Sequence, residues 1–320
     1  MSFLTRNRDT VFYILSRLDD ADLANVFQTN KQAYKYFKDQ KFWLNRILTK
    51  FPYLSLTIMN LYKGNISWSD YYIHDLRLIN PTNSDTYLFN GCKKGRLDLV
   101  MVAINNRNVT DDNCYYLYTA VEGGNLEVVK YLVSQGADIR TGDDSSVKSA
   151  CWNGRLEILK YLVSRGADIH AGNDSSVRQA SIKGHLEVVK YLVSQGADIH
   201  AGNTVEWASQ KGHLEVVKYL VDMGADIHSN DDHAVRYASA QGHLEVIKYL
   251  VSQCADIHAG DDHAVRCASE KGYLDVVKYL VDMGADIHSR NDHAVRWANF
   301  REHPEVVKYL VSLGAPDPRI

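Results

Sequence analysis

The feature that most limits what this chain can fold into is a stretch that it keeps repeating. Gly184 to Gly202 reads GHLEVVKYLVSQGADIHAG, and near-copies run from Gly154 onward. The glycine opening each copy falls at Gly95, Gly124, Gly154, Gly184, Gly212, Gly242 and Gly272, at spacings of 29, 30, 30, 28, 30 and 30, and the next step lands on Glu302. A repeat of about 30 residues is one supersecondary element, which buries its apolar face only against its neighbours, so the pattern predicts a solenoid. Eight copies can be counted from about residue 86 to residue 320.

One copy shows what the shared positions do. SSVRQASIK, from Ser175, is a short helix with Val177, Ala180 and Ser181 along one side, and Gly184 supplies the left-handed turn that ends it. His185 to Gln195 makes a second helix, with Leu186, Val189, Leu192 and Val193 at i, i+3, i+6 and i+7. Val188 and Tyr191 broaden that stripe toward a second side, and a helix apolar on two sides needs a neighbour on each. Gly196 ends this helix, and ADIHAGND is a polar connector. Glu187 and Lys190, at i and i+3, form a solvated pair worth about 0.2–0.5 kcal/mol. Ala180, Ala208, Ala238, Ala268 and Ala298 let adjacent helices approach closely. These constant positions are packing and carry no binding role.

With these residues in view, the pattern G-H-L-E-V-V-K-Y-L-V…G-A-D-I resembles the second helix and turn of the ankyrin repeat, over the last three-quarters of the chain. The resemblance implies an all-α ankyrin solenoid. The sequence departs from the family in length and in one motif. Units are shorter than the usual ~33 residues, and SSVR, HAVR or SSVK stands where the family has T-P-L-H. The projecting β-hairpin fingers are therefore expected to shrink to tight loops. The 30-residue variant with KYLVSQGADIH also resembles the ankyrin families of giant DNA viruses that infect amoebae.

Several copies break the pattern. AGNTVEWAS (Ala201–Ser209) lacks two residues relative to AGNDSSVRQAS, and Glu206 stands where other units carry Lys148, Arg178, Arg236, Arg266 or Arg296. This is either a harmless loop deletion or a local bend. Cys254 replaces a turn glycine, at about 1 kcal/mol if the position is left-handed. Pro304 falls in a first helical turn, where proline is tolerated. GAPDPRI reads as a C-terminal cap, and GRLDLVMVAINN as its counterpart at the other end.

Twelve of the thirteen histidines lie in the repeats, eleven of them in three columns: His170, His200, His228, His258 and His288; His185, His213 and His243; His233, His263 and His293. Members of a column sit one repeat apart, roughly 8–10 Å, whereas a metal needs ligands converging within about 2 Å of one point. No metal site is expected, and repetition by architecture, with His and Asp capping helices and bridging loops, explains the columns better. The Arg/Lys column and loop acids such as Asp174, Asp231, Asp262 and Asp292 are expected to neutralise one another across units. There is no Gly-rich phosphate loop, no G-x-S-x-G and no paired carboxylates in an apolar setting. No catalytic residue and no cofactor is therefore expected.

If constant positions are scaffold, variable positions on one face are where a partner binds. The residue before the small alanine runs Ser149, Gln179, Trp207, Tyr237, Cys267, Trp297. The residue two after it runs Trp152, Ile182, Gln210, Ala240, Glu270, Phe300. The ankyrin resemblance implies that this end of the first helix lines the concave groove. Aromatics in such columns suit interface anchors, so the candidate partner-binding residues are Trp152, Ile182, Trp207, Gln210, Tyr237, Trp297 and Phe300. The competing reading is that Trp207, Tyr237 and Trp297 only fill space between units.

Before the repeats the vocabulary changes. Val11, Ile14, Leu15 and Leu18 share one helical face, Asp19 or Asp20 can cap a second helix with Leu23, Val26 and Phe27, and a third carries Ala33, Tyr34 and Phe37. Phe42 and Trp43 close this small bundle, which needs a neighbour to bury enough core. The stretch resembles an F-box: Ile14, Leu15, Leu18, Asp22, Leu23 and Phe42–Trp43 fall at matching offsets. The family's opening Leu-Pro is absent, with Arg6 and Asn7 there and Asp9 at the acidic position. The resemblance implies that Ile14, Leu15, Leu18 and Leu23 shape or contact a ligase-adaptor surface. The expected domains are 1–50 F-box-like, 51–85 a helical connector in which SWSDYY is a helix start, and 86–320 ankyrin repeats.

A net charge of −3 gives no electrostatic reason to expect nucleic acid, and there is no apolar run for a membrane span or signal peptide. The five cysteines, Cys92, Cys114, Cys151, Cys254 and Cys267, have no C-x-x-C spacing, which suits a reducing compartment. Cytoplasm is the expected location, with the nucleus as the other compartment. An F-box-like module joined to an array implies a non-enzymatic substrate receptor of a cullin-based ubiquitin ligase. Its partners would be a protein target in the groove and a host cullin-ligase adaptor at the N-terminus. The alternative is a scaffold or decoy that sequesters a partner.

Overall fold

The computed structural model describes residues 14–15, 17–29, 34–77, 79, 83–106 and 113–318. Arg6, Asn7, Asp9, Val11 and Ala33 lie outside these. The chain forms two compact units, Met1–Ile139 and Arg140–Ile320, and every described element is helical.

In the first unit, Asp19 caps α1 (Asp20–Thr29) by accepting the Asp22 N–H at 2.8 Å. Helices α2 (Tyr34–Phe37) and α3 (Gln40–Lys50) follow, the latter capped by Asp39. Their core is aromatic. Phe27, Phe37, Phe42 and Trp43 meet edge to face with ring centroids 5.3–5.9 Å apart, the geometry that aromatic quadrupoles favour. The Trp43 indole donates to the Phe37 carbonyl at 2.7 Å, so this buried donor is satisfied. Helix α4 (Leu56–Lys63) and the short α5 (Trp68–Asp70) start at Ser55 and Ser67, whose hydroxyls cap them. Ser67 begins SWSDYY, so that stretch is a helix start, as expected. Beyond it, Tyr71–Leu76 winds as a wider π-helix.

Tyr72 ties these helices back to α1. The Tyr72 hydroxyl donates to Asp20, which also accepts Arg46 at 2.6 Å and Lys50 at 3.1 Å. Burial alone would raise the Asp20 pKa, but hydrogen bonds from Arg46 and Tyr72 and the charge of Lys50 hold it down at about 2. Two helix pairs complete the unit: α6 (Ser84–Lys94) with α7 (Leu97–Asn106), and α8 (Asn113–Gly123) with α9 (Leu126–Ser134). Asp98 stands where later copies have a solvated Glu, yet it is fully buried. It accepts from the Tyr71 hydroxyl at 2.6 Å and from Arg96, which also pairs with Asp75 at 2.7 Å. The first copy thus uses a shared position to hold the preceding helices.

The second unit is six helix pairs, α10/α11 to α20/α21. They are Thr141–Trp152 with Leu156–Ser164, Ala171–Lys183 with Leu186–Ser194, Thr204–Gln210 with Leu214–Asp222, Ser229–Ala240 with Leu244–Ser252, Ala259–Glu270 with Leu274–Asp282, and Ser289–Phe300 with Pro304–Ser312. The first helix of each pair lies against the first helices of its neighbours. The expected small alanines, with Val189, Leu192 and their counterparts, are buried. Gly184 ends α12 at φ 74°, as its position predicts. The fingers are reduced to tight turns, with no strand among the described residues.

Each connector contains a left-handed turn that the sequence reading did not anticipate. Gly172, Asn173 and Asp174 hold φ of 67°, 56° and 52°, and the triplet recurs at 142–144, 230–232, 260–262 and 290–292. Left-handed geometry costs most L-residues about 1–2 kcal/mol, and Gly, Asn and Asp bear it best, which accounts for the G-N-D composition. In the shortened unit only Gly202 and Asn203 are left-handed, and the helix starts at Thr204. The two-residue deletion is absorbed there.

Candidate partner-binding site

The array face can be built from three kinds of position: those that lock units together, those that carry charge and those that vary. The lock is the second histidine column. The His185 Nε2–H donates to the Trp152 carbonyl at 3.1 Å, His213 to Ile182 at 2.9 Å and His243 to Gln210 at 3.0 Å. Each acceptor is in the preceding unit, and each ring lies on that unit's glycine. A Cβ on Gly154 or Gly212 would come within 2.6 Å of the His185 or His243 Nδ1. Glycine is thus required twice, for its left-handed φ and for the ring seated on it. Asn125 does the same in the first unit, donating to Cys92 at 3.0 Å across Gly95. Tyr273 covers Gly242.

The first histidine column is a second clamp. His228 and His258 lie 3.0 and 2.8 Å from Asp232 and Asp262. Those same carboxylates accept the N–H of Asp256 and Asp286 one unit on, at 2.9 Å each. The second-column histidines therefore join units directly, whereas the first-column ones bond the aspartates that do so. No group of three or more His, Cys, Asp or Glu with metal-holding geometry occurs among the described residues.

In the charged column the expected pairing across units is mostly not found. Neutralisation is mostly within a unit and not across units: Lys148 pairs with Asp143, and Arg236 with Asp231 at 2.9 Å. The exception is Asp261, which binds Arg290 of the next unit at 2.7 Å. Arg266 is left to donate to the Gly260 and Asp261 carbonyls. Glu206 is buried, accepts Asn230 at 2.7 Å and lies 3.5 Å from His233. Asn230 occupies the connector position that is glycine in most units, so the acid and its donor occur together, 24 residues apart.

The third histidine column lies beside the variable residues. His233 stacks on Tyr237 at 4.7 Å and His293 on Trp297 at 5.3 Å, while the Cys267 Sγ is 3.4 Å from His263. Tyr237 and Trp297 are half-buried, as are Ile182 and Gln210, and Trp207 is exposed. Trp152 is 41% exposed and Phe300 70%. The Lys183 ammonium sits 3.9 Å over the Trp152 ring, and Phe300 meets Trp297 at 5.4 Å. Trp152, Ile182 and Gln210 give only their backbone carbonyls to the lock, which leaves their side chains free to differ from unit to unit.

In the first unit Leu15 and Leu23 are buried, Leu18 is half-buried and Ile14 is 41% exposed. An open cavity of about 380 Å³ beside Leu18 is lined by Arg17, Asp19, Asp20, Arg46 and Lys50. No helix among the described residues is long and apolar enough to cross a membrane.

Helix pairs that repeat at about 30 residues, lock through shared side chains and vary on one face define a repeat scaffold for binding other proteins. The family model for ankyrin repeats (3 copies) matches residues 58–143, 88–173, 147–231, 206–291 and 235–319, and the chain belongs to that family. Among solved structures, the human ASB11 ankyrin repeat domain is similar, at 24% identity and a TM-score of 0.54, over 62% of this chain and 98% of that one. At that identity the likeness concerns the fold. Among curated proteins none matches the chain. Ankyrin repeats make the chain a protein–protein interaction module, on a fold that is in general a non-catalytic scaffold.

Proposed function

We propose that the chain is a substrate receptor for a cullin-based ubiquitin ligase, with an F-box-like module in residues 1–50, a connector in 51–85 and the ankyrin array holding the protein to be ubiquitinated. The chain would perform no chemistry; it would raise the concentration of a target beside the ligase. In the viral setting suggested by the repeat variant, that target is a host protein and the site of action is the cytoplasm. The observation that carries the reading is the helical trio of the first unit. Its aromatic core is closed while Ile14 stays 41% exposed, an apolar side chain available to a partner. Trp152, Ile182, Trp207, Gln210, Tyr237, Trp297 and Phe300 would line the target groove.

A second reading, a scaffold that sequesters a partner without ligase coupling, is favoured by the Asp20–Arg46–Tyr72–Lys50 network. It fastens the trio to the following helices as a structural cap would be fastened. The test is a pulldown with the full chain, wild type against the Ile14→Asp/Leu18→Asp double variant, with cullin adaptors detected by mass spectrometry. Adaptor recovered by the wild type and lost from a folded double variant supports the receptor. No adaptor on the wild type leaves the sequestering scaffold.

A further inference from the structure

The connector acids of the last three units are already engaged, while two of the arginines beside them are left without a carboxylate. Asp231 holds Arg236, Asp261 holds Arg290, and Asp262 and Asp292 hold His258 and His288. Two of the remaining guanidinium groups bond no carboxylate. Arg266 is 6% exposed and donates only to the carbonyls of Gly260 and Asp261, at 2.8 and 2.9 Å. Arg296 is exposed and donates to the Arg290 carbonyl at 3.2 Å. The sequence explains both. The partner five residues back is Asn291 for Arg296, and for Arg266 it is Asp261, which has been taken by Arg290.

Arg266, Arg290 and Arg296 therefore form a cluster across two neighbouring units with one carboxylate, Asp261, bound directly among them. Arg266 and Arg296 each stand one residue before the variable positions Cys267 and Trp297, so the cluster borders the aromatic column. We propose that this edge is a docking surface for an acidic segment of a protein partner, whose carboxylates pair with the exposed Arg290 and Arg296 while the buried Arg266 adds its charge from beneath. The proposal rests on reading the variable face as the partner-binding side, and it adds the partner's charge. An independent sign of the uncompensated charge lies next to the cluster. Burial, with the cations Arg236, Arg266 and Arg290 and with His233 nearby, pushes His263 down to about 4. Arg266 itself is lowered by burial and by Arg290. A docked carboxylate would relieve this crowding. A short carboxylate segment fits better than a nucleic acid, because the chain carries a net charge of −3 and the cluster is too small to track an extended polyanion.

The test uses the full-length chain and a fluorescein-labelled octaglutamate peptide, read by anisotropy at low salt. An octamer of single-stranded DNA, octalysine and inorganic phosphate serve as comparison probes. Arg290→Glu and Arg296→Glu lie at exposed positions, and Arg165→Glu makes the same charge change at an exposed position outside the cluster. Binding of octaglutamate is expected to weaken at least about tenfold in either cluster variant and less than about twofold in the Arg165 variant. Ile14→Asp is expected to leave it unchanged, so the ligase reading and this one fail separately. On the wild type, the peptide should also raise the titration midpoint of the His263 ring, followed by NMR. Absence of peptide binding, equal weakening by Arg165→Glu, or tighter binding of the DNA octamer would each overturn the proposal. The last outcome would transfer the surface to nucleic acid.

Discussion

Residues 140–320 bury Ala, Val, Leu and Ile at offsets that recur every unit, whereas residues 14–77 bury Phe42, Trp43, Tyr71 and Tyr72, each in a setting found once. In the array, the same small contact is made again between each pair of neighbours, so a flaw in one unit can be tolerated by the rest. Cys254, left-handed at φ 68° in place of a glycine, is such a flaw. In the N-terminal helices each large ring fills a place nothing else fills, and polar groups such as Asp20 and Asp98 meet partners far along the chain. Repetition therefore buries a core with interchangeable parts, and the unrepeated region does so with irreplaceable ones.

That contrast can be broken most severely at Trp43. Trp43→Ala should cost about 3–5 kcal/mol, and hydrogen exchange should accelerate across residues 20–76 while residues 204–312 keep their protection. Protection lost throughout would mean the two regions do not differ as described. Next in size is Asp20→Asn. The folded pKa of Asp20, about 2, lies below its ordinary value of 3.8. Its contribution is therefore present above the ordinary value and lost as pH falls through about 2. It amounts to no more than about 2 kcal/mol. Acid denaturation of the variant should be correspondingly flatter between pH 4 and 2.

In the array the effects should be smaller. Cys254→Gly should stabilise the chain by about 1 kcal/mol in urea melts, by removing a side chain from a left-handed position. Smallest is Glu245→Gln, which breaks the exposed pair with Lys248. A change beyond about 0.5 kcal/mol there would contradict its reading as a solvated pair.

The period, the helices of each unit, their left-handed terminal glycines and the Glu–Lys pairs were all legible, because each depends on residues within one unit. The expected groove residues could be named for the same reason, by lining up copies and noting where they differ. What the sequence did not disclose lies between units. The His213 ring bonds a carbonyl 31 residues back, and a backbone acceptor leaves no residue type to recognise. The signal available was that glycine and histidine columns run side by side. The sign change at Glu206 was legible as an oddity, but its partner Asn230 stands 24 residues on, in a column where glycine is usual. The consecutive left-handed residues were missed because G-N-D also reads as an ordinary loop.

Gly95, Gly154, Gly184, Gly212, Gly242 and Gly272 are each covered by a side chain of the next unit, which locks the stack at those joints. The most direct measurement is a double-mutant cycle of Gly212→Ala and His243→Ala by urea denaturation of the full chain. Gly212→Ala alone places a Cβ 2.6 Å from the ring at a φ of 77°, and should cost about 1–3 kcal/mol. With His243→Ala already present, only the left-handed backbone penalty should remain, and the two changes should couple by about 1 kcal/mol or more. Strictly additive losses would contradict the lock.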